Sequence, residues 1–205
     1  MIHLKKTRNY FTLKAKKKVF INFFGTAFLF FSCSGVSYDK MSEEDPITLV
    51  GMQDSLLKRK KSKNIYQALK KANNNLGKEE FDKEEFDNAI YYFSKALELD
   101  KEDTLANFYR LISEGKKFSK TGNKDSLWSA ILKYNKAAQI NPKSGIPHYY
   151  IGLSYQKIGD KDFDLILEAF QNALLLDLDD NLRKKAKLQF ERTKKREQRL
   201  TDFWR

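Results

Sequence analysis

Three stretches of this chain repeat one spacing of apolar positions. They are FDNAIYYFSKALELDKED (residues 86–103), LWSAILKYNKAAQINPKS (127–144) and FDLILEAFQNALLLDLDD (163–180). In each, an aromatic is followed three residues on by alanine, and after three more by an aliphatic. The triplets are Phe93–Ala96–Leu99, Tyr134–Ala137–Ile140 and Phe170–Ala173–Leu176, closed by Asp100, Asn141 and Asp177. Spacings of three and four put each triplet on one face of a helix, and the alanine lets a neighbouring helix approach. A second helix is expected before each. The clearest is IPHYYIGLSYQKIGD (146–160), with Gly152 between Ile151 and Tyr155 and a turn at Gly159–Asp160. Leu76 and Gly77 take the equivalent places before the first stretch, and Arg110 and Leu111 before the middle one. About seven extra residues around FSKTGNKDS (118–126) then lengthen the middle pair's inter-helix loop, so the alanines fall 41 and 36 residues apart.

The flanks behave differently. Residues 54–69 have a helical pattern outside the repeat. Residues 180–203 read as one long charged helix whose sparse apolar positions, Leu182, Ala186, Leu188, Phe190 and Leu200, can cover the last pair. Residues 34–53 mix Ser, Gly, Asp, Glu and a proline without sustained helical period, and read as a tether. The tandem KEEFDKEEFD (78–87) has a structural reading: Phe86 opens a second helix, Phe81 ends the first, and the acids form turn and surface.

These residues resemble the tetratricopeptide repeat (TPR), a family of helix–turn–helix units of roughly 34 residues. The aromatic–small–apolar signature occurs three times. A Leu–Gly-type pair occurs as Leu76–Gly77 and Ile151–Gly152, and the terminal proline once, as Pro142. The resemblance covers about residues 70–180. It implies an all-α fold: a short solenoid of antiparallel helix pairs, about three repeats, with flanking capping helices. It also implies a concave groove, lined by the first helices, that binds a peptide or protein segment. Carried over position by position, the groove candidates are Asn74, Lys78, Phe108, Ile112, Tyr149 and Leu153, with Gln156 at the edge. The alternative for Phe108, Ile112 and Leu153 is packing between repeats.

The N-terminus has a chemistry of its own. Residues 1–18 are basic and acid-free, and residues 19–32, VFINFFGTAFLFFS, carry no charge. Fourteen residues are short for a spanning helix, which needs about 20, and fit a signal h-region. Ser32 then precedes Cys33, the only cysteine. The arrangement resembles a bacterial lipoprotein signal peptide, which is cut before a lipid-modified cysteine. That implies lipid attachment at Cys33 and, with Ser34 next, an outer-membrane address facing the periplasm. An uncleaved N-terminal membrane anchor is the alternative. The expected organisation is therefore signal peptide 1–32, tether 33–53, TPR domain 54–182 and basic capping helix 183–205.

Charge changes the picture less than its total of +12 indicates. Residues 1–32 hold seven Lys/Arg and no acid, and residues 183–205 hold ten Lys/Arg and three acids, which leaves the body near neutral. A basic face on the body is not expected. One cysteine excludes an intramolecular disulfide, and His3 and His148 have no ligand spacing. There is no nucleophile motif, phosphate-binding glycine loop, HExxH or EF-hand pattern. The expectation is a non-enzymatic scaffold with no cofactor and no metal. Its partners would be a protein or peptide and, through the lipid, the membrane, not nucleic acid or a small-molecule substrate. The alternatives are an assembly factor for outer-membrane or pilus components, or binding of a polyanion or envelope polymer through the basic C-terminal helix.

Overall fold

A computed structural model describes residues 37–59, 62–159 and 162–204. The apolar N-terminal run and Cys33 lie outside the described residues. One compact unit begins at Tyr38. Ten helices follow one another among the described residues: α1 (Tyr38–Glu44), α2 (Pro46–Gly51), α3 (Gln53–Arg59), α4 (Lys63–Asp82), α5 (Phe86–Leu99), α6 (Thr104–Thr121), α7 (Lys124–Ile140), α8 (Ile146–Ile158), α9 (Phe163–Leu175) and α10 (Asp180–Phe203). From α4 onward each helix packs on the next in sequence, while α1 and α2 fold back on α4. The fold is all-helical, built of the adjacent pairs α4/α5, α6/α7 and α8/α9 with helices at both ends.

Short polar residues start these helices. Asp103 Oδ1 accepts from the Ala106 N–H at 3.0 Å, Asn123 Oδ1 from Ser126 at 2.8 Å, and Asp179 Oδ1 from Leu182 at 2.9 Å. Each satisfies an amide that the first turn leaves without a helical acceptor, a contribution of about 1 kcal/mol.

The core is a repeated clamp. A Cβ added to Gly77 would lie 2.8 Å from the ring of Phe93; one at Gly152 would lie 2.8 Å from the ring of Phe170; one at Gly115 would collide with Tyr134. Each second-helix aromatic thus presses on a bare backbone position of its own first helix. The other side of the ring meets the next first helix: Phe93 stacks on Tyr109 at 5.8 Å between centroids, and Tyr134 on Tyr150 at 5.4 Å. Phe93, Tyr134 and Phe170 are all fully buried, as are the alanines Ala96, Ala137 and Ala173 beside them.

Gly115 corrects the middle pair. Its clamp position is Glu114–Gly115, not Arg110–Leu111, so the glycines fall 38 and 37 residues apart (Gly77, Gly115, Gly152). The expected long loop over 118–126 is likewise absent. Helix α6 continues to Thr121 and α7 begins at Lys124, leaving Gly122 and Asn123 between them. Gly122 has φ +77°, a left-handed conformation that glycine adopts without steric cost. The extra residues form an added turn of α7 before Leu127.

The N-terminal flank is the second correction. The expected tether over 33–53 is helical from Tyr38. Leu49 and Ser42 are fully buried, Leu49 in a cluster with Ile65, Ala68, Leu69 and Ala72 of α4. Pro46 in the first turn and the Asp45 side chain, which accepts from the Thr48 N–H, initiate α2 despite the short apolar period. At the other end α10 spans the whole of 180–203. Ala186 is buried and Leu182 and Phe190 pack beside it, but Leu188 and Leu200 are exposed.

Candidate functional site

The residue after each clamp glycine turns about 100° around the helix, away from the ring. Those residues are Lys78, Lys116 and Leu153. Lys78 and Lys116 line one cleft together with Phe81, Glu84, Phe86, Tyr109, Tyr150 and Leu182; Lys116 and Leu153 line its continuation with Ser119, Ser154 and Lys157. The cleft therefore runs across α4, α6 and α8, floored by the far sides of the tyrosines that clamp the core.

Lys116 sits at its centre. The ammonium lies 4.7 Å from the Tyr150 ring centroid and 5.3 Å from that of Phe86. The nearest carboxylate oxygen, on Glu84, is 3.8 Å away. Burial pushes its pKa below the usual lysine value, an effect larger than that of the Glu84 charge, and the charges of Lys157 and Lys120 push the same way. Burial and neighbouring cations lower a lysine pKa because both disfavour its charged form. Lys78 lies 5.4 Å from both the Phe81 and Tyr109 centroids and pairs with Asp82. Lys120 reaches over Phe86 at 4.7 Å and donates to the Glu84 carbonyl at 3.0 Å; Lys157 donates to the Ser119 carbonyl at 3.2 Å. The acids of the cleft are Asp82, Glu84 and Asp179. Glu84 holds φ +61° in the α4–α5 turn, a conformation unfavourable for a side chain with a Cβ.

Lys78 and Leu153 line the cleft, and Gln156 lines the edge of its continuation. The other candidates do different work. Asn74 donates from Nδ2 to Asp103 at 2.8 Å, holding the start of α6. Phe108 and Ile112 are buried in the core with Ile131, Tyr134 and Ile151. Tyr149 is buried against Phe170, 6.1 Å between centroids. Gln156 also donates to Thr193 of α10 at 2.9 Å, tying α8 to the last helix. Two of them share one cause. Asn74 and Tyr149 stand three residues before their glycines, a position that faces neighbouring helices, and Ile112, aligned with Lys78 and Leu153, falls one helical turn short of Lys116. In the last pair the cleft takes the residue one further on, Tyr150. Phe108 was one helical turn out because the middle glycine was missed. The residues missed by sequence reasoning are Tyr109, Lys116 and Tyr150; Gly115, read as the middle clamp, would have located Lys116.

At the N-terminal end the same ridge is covered. Lys71 of α4 pairs with Glu43 at 2.7 Å and Asp39 at 3.2 Å, and Asn75 donates to the Ser42 carbonyl at 3.0 Å. Helix α1 therefore closes this side, leaving the cleft open over α6 and α8. Among the described residues no helix is long and apolar enough to cross a membrane. No family model matches the chain, and no curated protein matches it.

Proposed function

We propose that this chain is a non-enzymatic scaffold of the tetratricopeptide-repeat kind, held at the bacterial envelope by lipid on Cys33, which binds an acidic segment of a partner protein in the α4–α6–α8 cleft. The observation that carries the binding reading is Lys116. A cation that burial disfavours, set between two aromatic rings with its one paired carboxylate, Glu84, as far as 3.8 Å away, gains from a ligand carboxylate. The helix pairs with their three glycine–aromatic clamps support the repeat reading. The lipid reading rests on the N-terminal sequence.

Two measurements test these parts separately. A photocrosslinking residue in place of Tyr109 should trap a protein in the envelope fraction, and one in place of Leu132, exposed on α7, should not. Equal trapping at both places, or none at either, sinks the cleft reading. Intact mass of the membrane-fraction protein, with a Cys33→Ala control, should show a lipidated species beginning at Cys33. An unmodified chain starting at Met1 overturns the address and leaves the cleft reading standing.

A further inference from the structure

Helix α10 is about 36 Å long, and only part of it has a neighbour. Its inward stripe runs Leu182, Ala186, Phe190 and Thr193, packed on α9 and tied to α8 through Gln156. The stripe does not stop where the packing stops. Past Glu197, two turns and then three beyond Thr193, it resumes as Leu200 and Trp204. From Gln198 to Trp204 every residue is exposed. Phe203 is 76% and Trp204 81% exposed, and the two rings pack edge to face at 5.2 Å. Leu200, Phe203 and Trp204 share an arc of about 100° around the axis. From Arg192 through Trp204 there are five bases and two acids, and Lys194 and Arg199 flank the apolar arc.

Large apolar side chains are costly to leave in water, and an indole and a phenyl ring at a helix end are the most costly. The same helix end carries excess positive charge, so its complement is apolar and anionic together. The boundary between anionic headgroups and acyl chains has that chemistry, with lysine and arginine stems reaching back to the phosphates. A nucleic acid would satisfy the charge and the rings but not Leu200, the aliphatic member of the arc.

We propose that the exposed end of α10 docks on an anionic bilayer surface, with Leu200, Phe203 and Trp204 entering the headgroup–acyl boundary and Lys194 and Arg199 on lipid phosphates. The site is remote from the cleft, so it gives the body a second hold on the membrane, independent of Cys33.

The test uses the full chain with Trp128→Phe, which leaves Trp204 as its single tryptophan. Its emission is read with vesicles of phosphatidylcholine and phosphatidylglycerol in which part of the lipid carries bromine on the acyl chain. Because Trp204 reports its own depth, a contribution of the N-terminus to overall binding does not confuse the reading. The expected result is a blue shift and strong quenching by the brominated lipid. Quenching should be largely lost in phosphatidylcholine alone, and reduced at about 1 M salt, where the screening length is about 3 Å. In the chain that also carries Cys33→Ala, Leu200→Ser with Phe203→Ser should lower the vesicle partition seen by Trp204 about tenfold. Emission that stays at the water-exposed value in vesicle-bound protein overturns the proposal. So does equal quenching without phosphatidylglycerol. A blue shift without vesicles also overturns it: one that grows with protein concentration would assign the patch to a second copy, and one independent of concentration to another part of this chain. Quenching by an oligonucleotide in place of vesicles would assign it to nucleic acid.

Discussion

Gly115 and Lys116 are neighbours in the chain and opposites in role. Gly115 gives up its side chain so that the ring of Tyr134 can reach the backbone of α6. Lys116 keeps a long cationic side chain in a place where burial disfavours its charge. The same division occurs at Gly77 and Lys78, and at Gly152 and Leu153. One helical register thus builds two surfaces about 100° apart, a seam optimised for packing and a cleft that is not. A seam residue should lose stability when changed. A cleft residue should lose binding without losing stability, because proteins tend to store stability deficits where they act.

The largest effect is expected in the seam. Tyr134→Ala removes a fully buried ring held between Gly115 and Tyr150, and should cost about 3–5 kcal/mol in chemical denaturation. Gly115→Val should be comparably damaging, since tertiary packing leaves no room for a side chain. Gly51→Ala is the control: nothing lies within 4 Å of a Cβ there, and the helix should gain up to about 1 kcal/mol. If Gly115→Val were as benign as Gly51→Ala, the clamp would not be the core.

Lys116→Met should behave in the opposite way. The methionine stem can occupy the place of the lysine methylenes between the Phe86 and Tyr150 rings. The melting temperature should stay unchanged or rise, while affinity for a fluorescent glutamate-rich peptide falls at least about tenfold, equivalent to about 1.4 kcal/mol. A fall in stability with peptide affinity intact would make Lys116 a packing residue and erase the distinction between seam and cleft.

The pH dependence separates the cleft from the packing of the first helix pair. Lys116 has a folded pKa below its ordinary value of 10.5, so between those two values the unfolded chain binds more protons and stability from this group rises with pH. Lys70 is shifted the other way, chiefly by its hydrogen bond to Asp100 at 2.9 Å. Its contribution is complete below 10.5 and is lost as pH rises through the raised folded value. The stability difference between the parent and Lys116→Met should therefore move in favour of the parent as pH approaches 10.5 from below. The difference between the parent and Lys70→Met should move against the parent only above it. Parallel slopes would mean that the cleft lysine is not desolvated.

Much of the seam was legible in the sequence, and little of the cleft. The aromatic–alanine spacing of Phe93, Tyr134 and Phe170 reports burial directly, because a helix that packs on two neighbours must repeat its apolar residues. The cleft is made by what faces away from that packing, and its residues follow no apolar rule. Lys116 looks like any surface lysine until Gly115 is recognised as the clamp, and Gly115 is hidden by the added turn of α7. Position errors of one residue then exchange the two surfaces, as at Tyr149 and Tyr150. Helices α1 and α2 were illegible for another reason. At seven and six residues they are too short to show a period, and packing on α4, not propensity, holds them.

The smallest effect tests the boundary between seam and cleft, the turn at Glu84. Its φ of +61° costs a residue with a Cβ about 1–2 kcal/mol, part of which glycine recovers and part of which glycine gives back as entropy of the unfolded chain. Glu84→Gly should therefore raise stability by about 0.5–1 kcal/mol. The carbonyl that accepts from Lys120 survives the change, since it belongs to the backbone. The carboxylate 3.8 Å from Lys116 does not survive. A ligand acid would then meet Lys116 without a competitor, and affinity for the glutamate-rich peptide should rise by a few-fold, read in the same anisotropy titration. A more stable protein with weaker peptide binding would show that Glu84 helps to hold the ligand, and would move the acidic-segment reading toward a ligand with a positive group of its own.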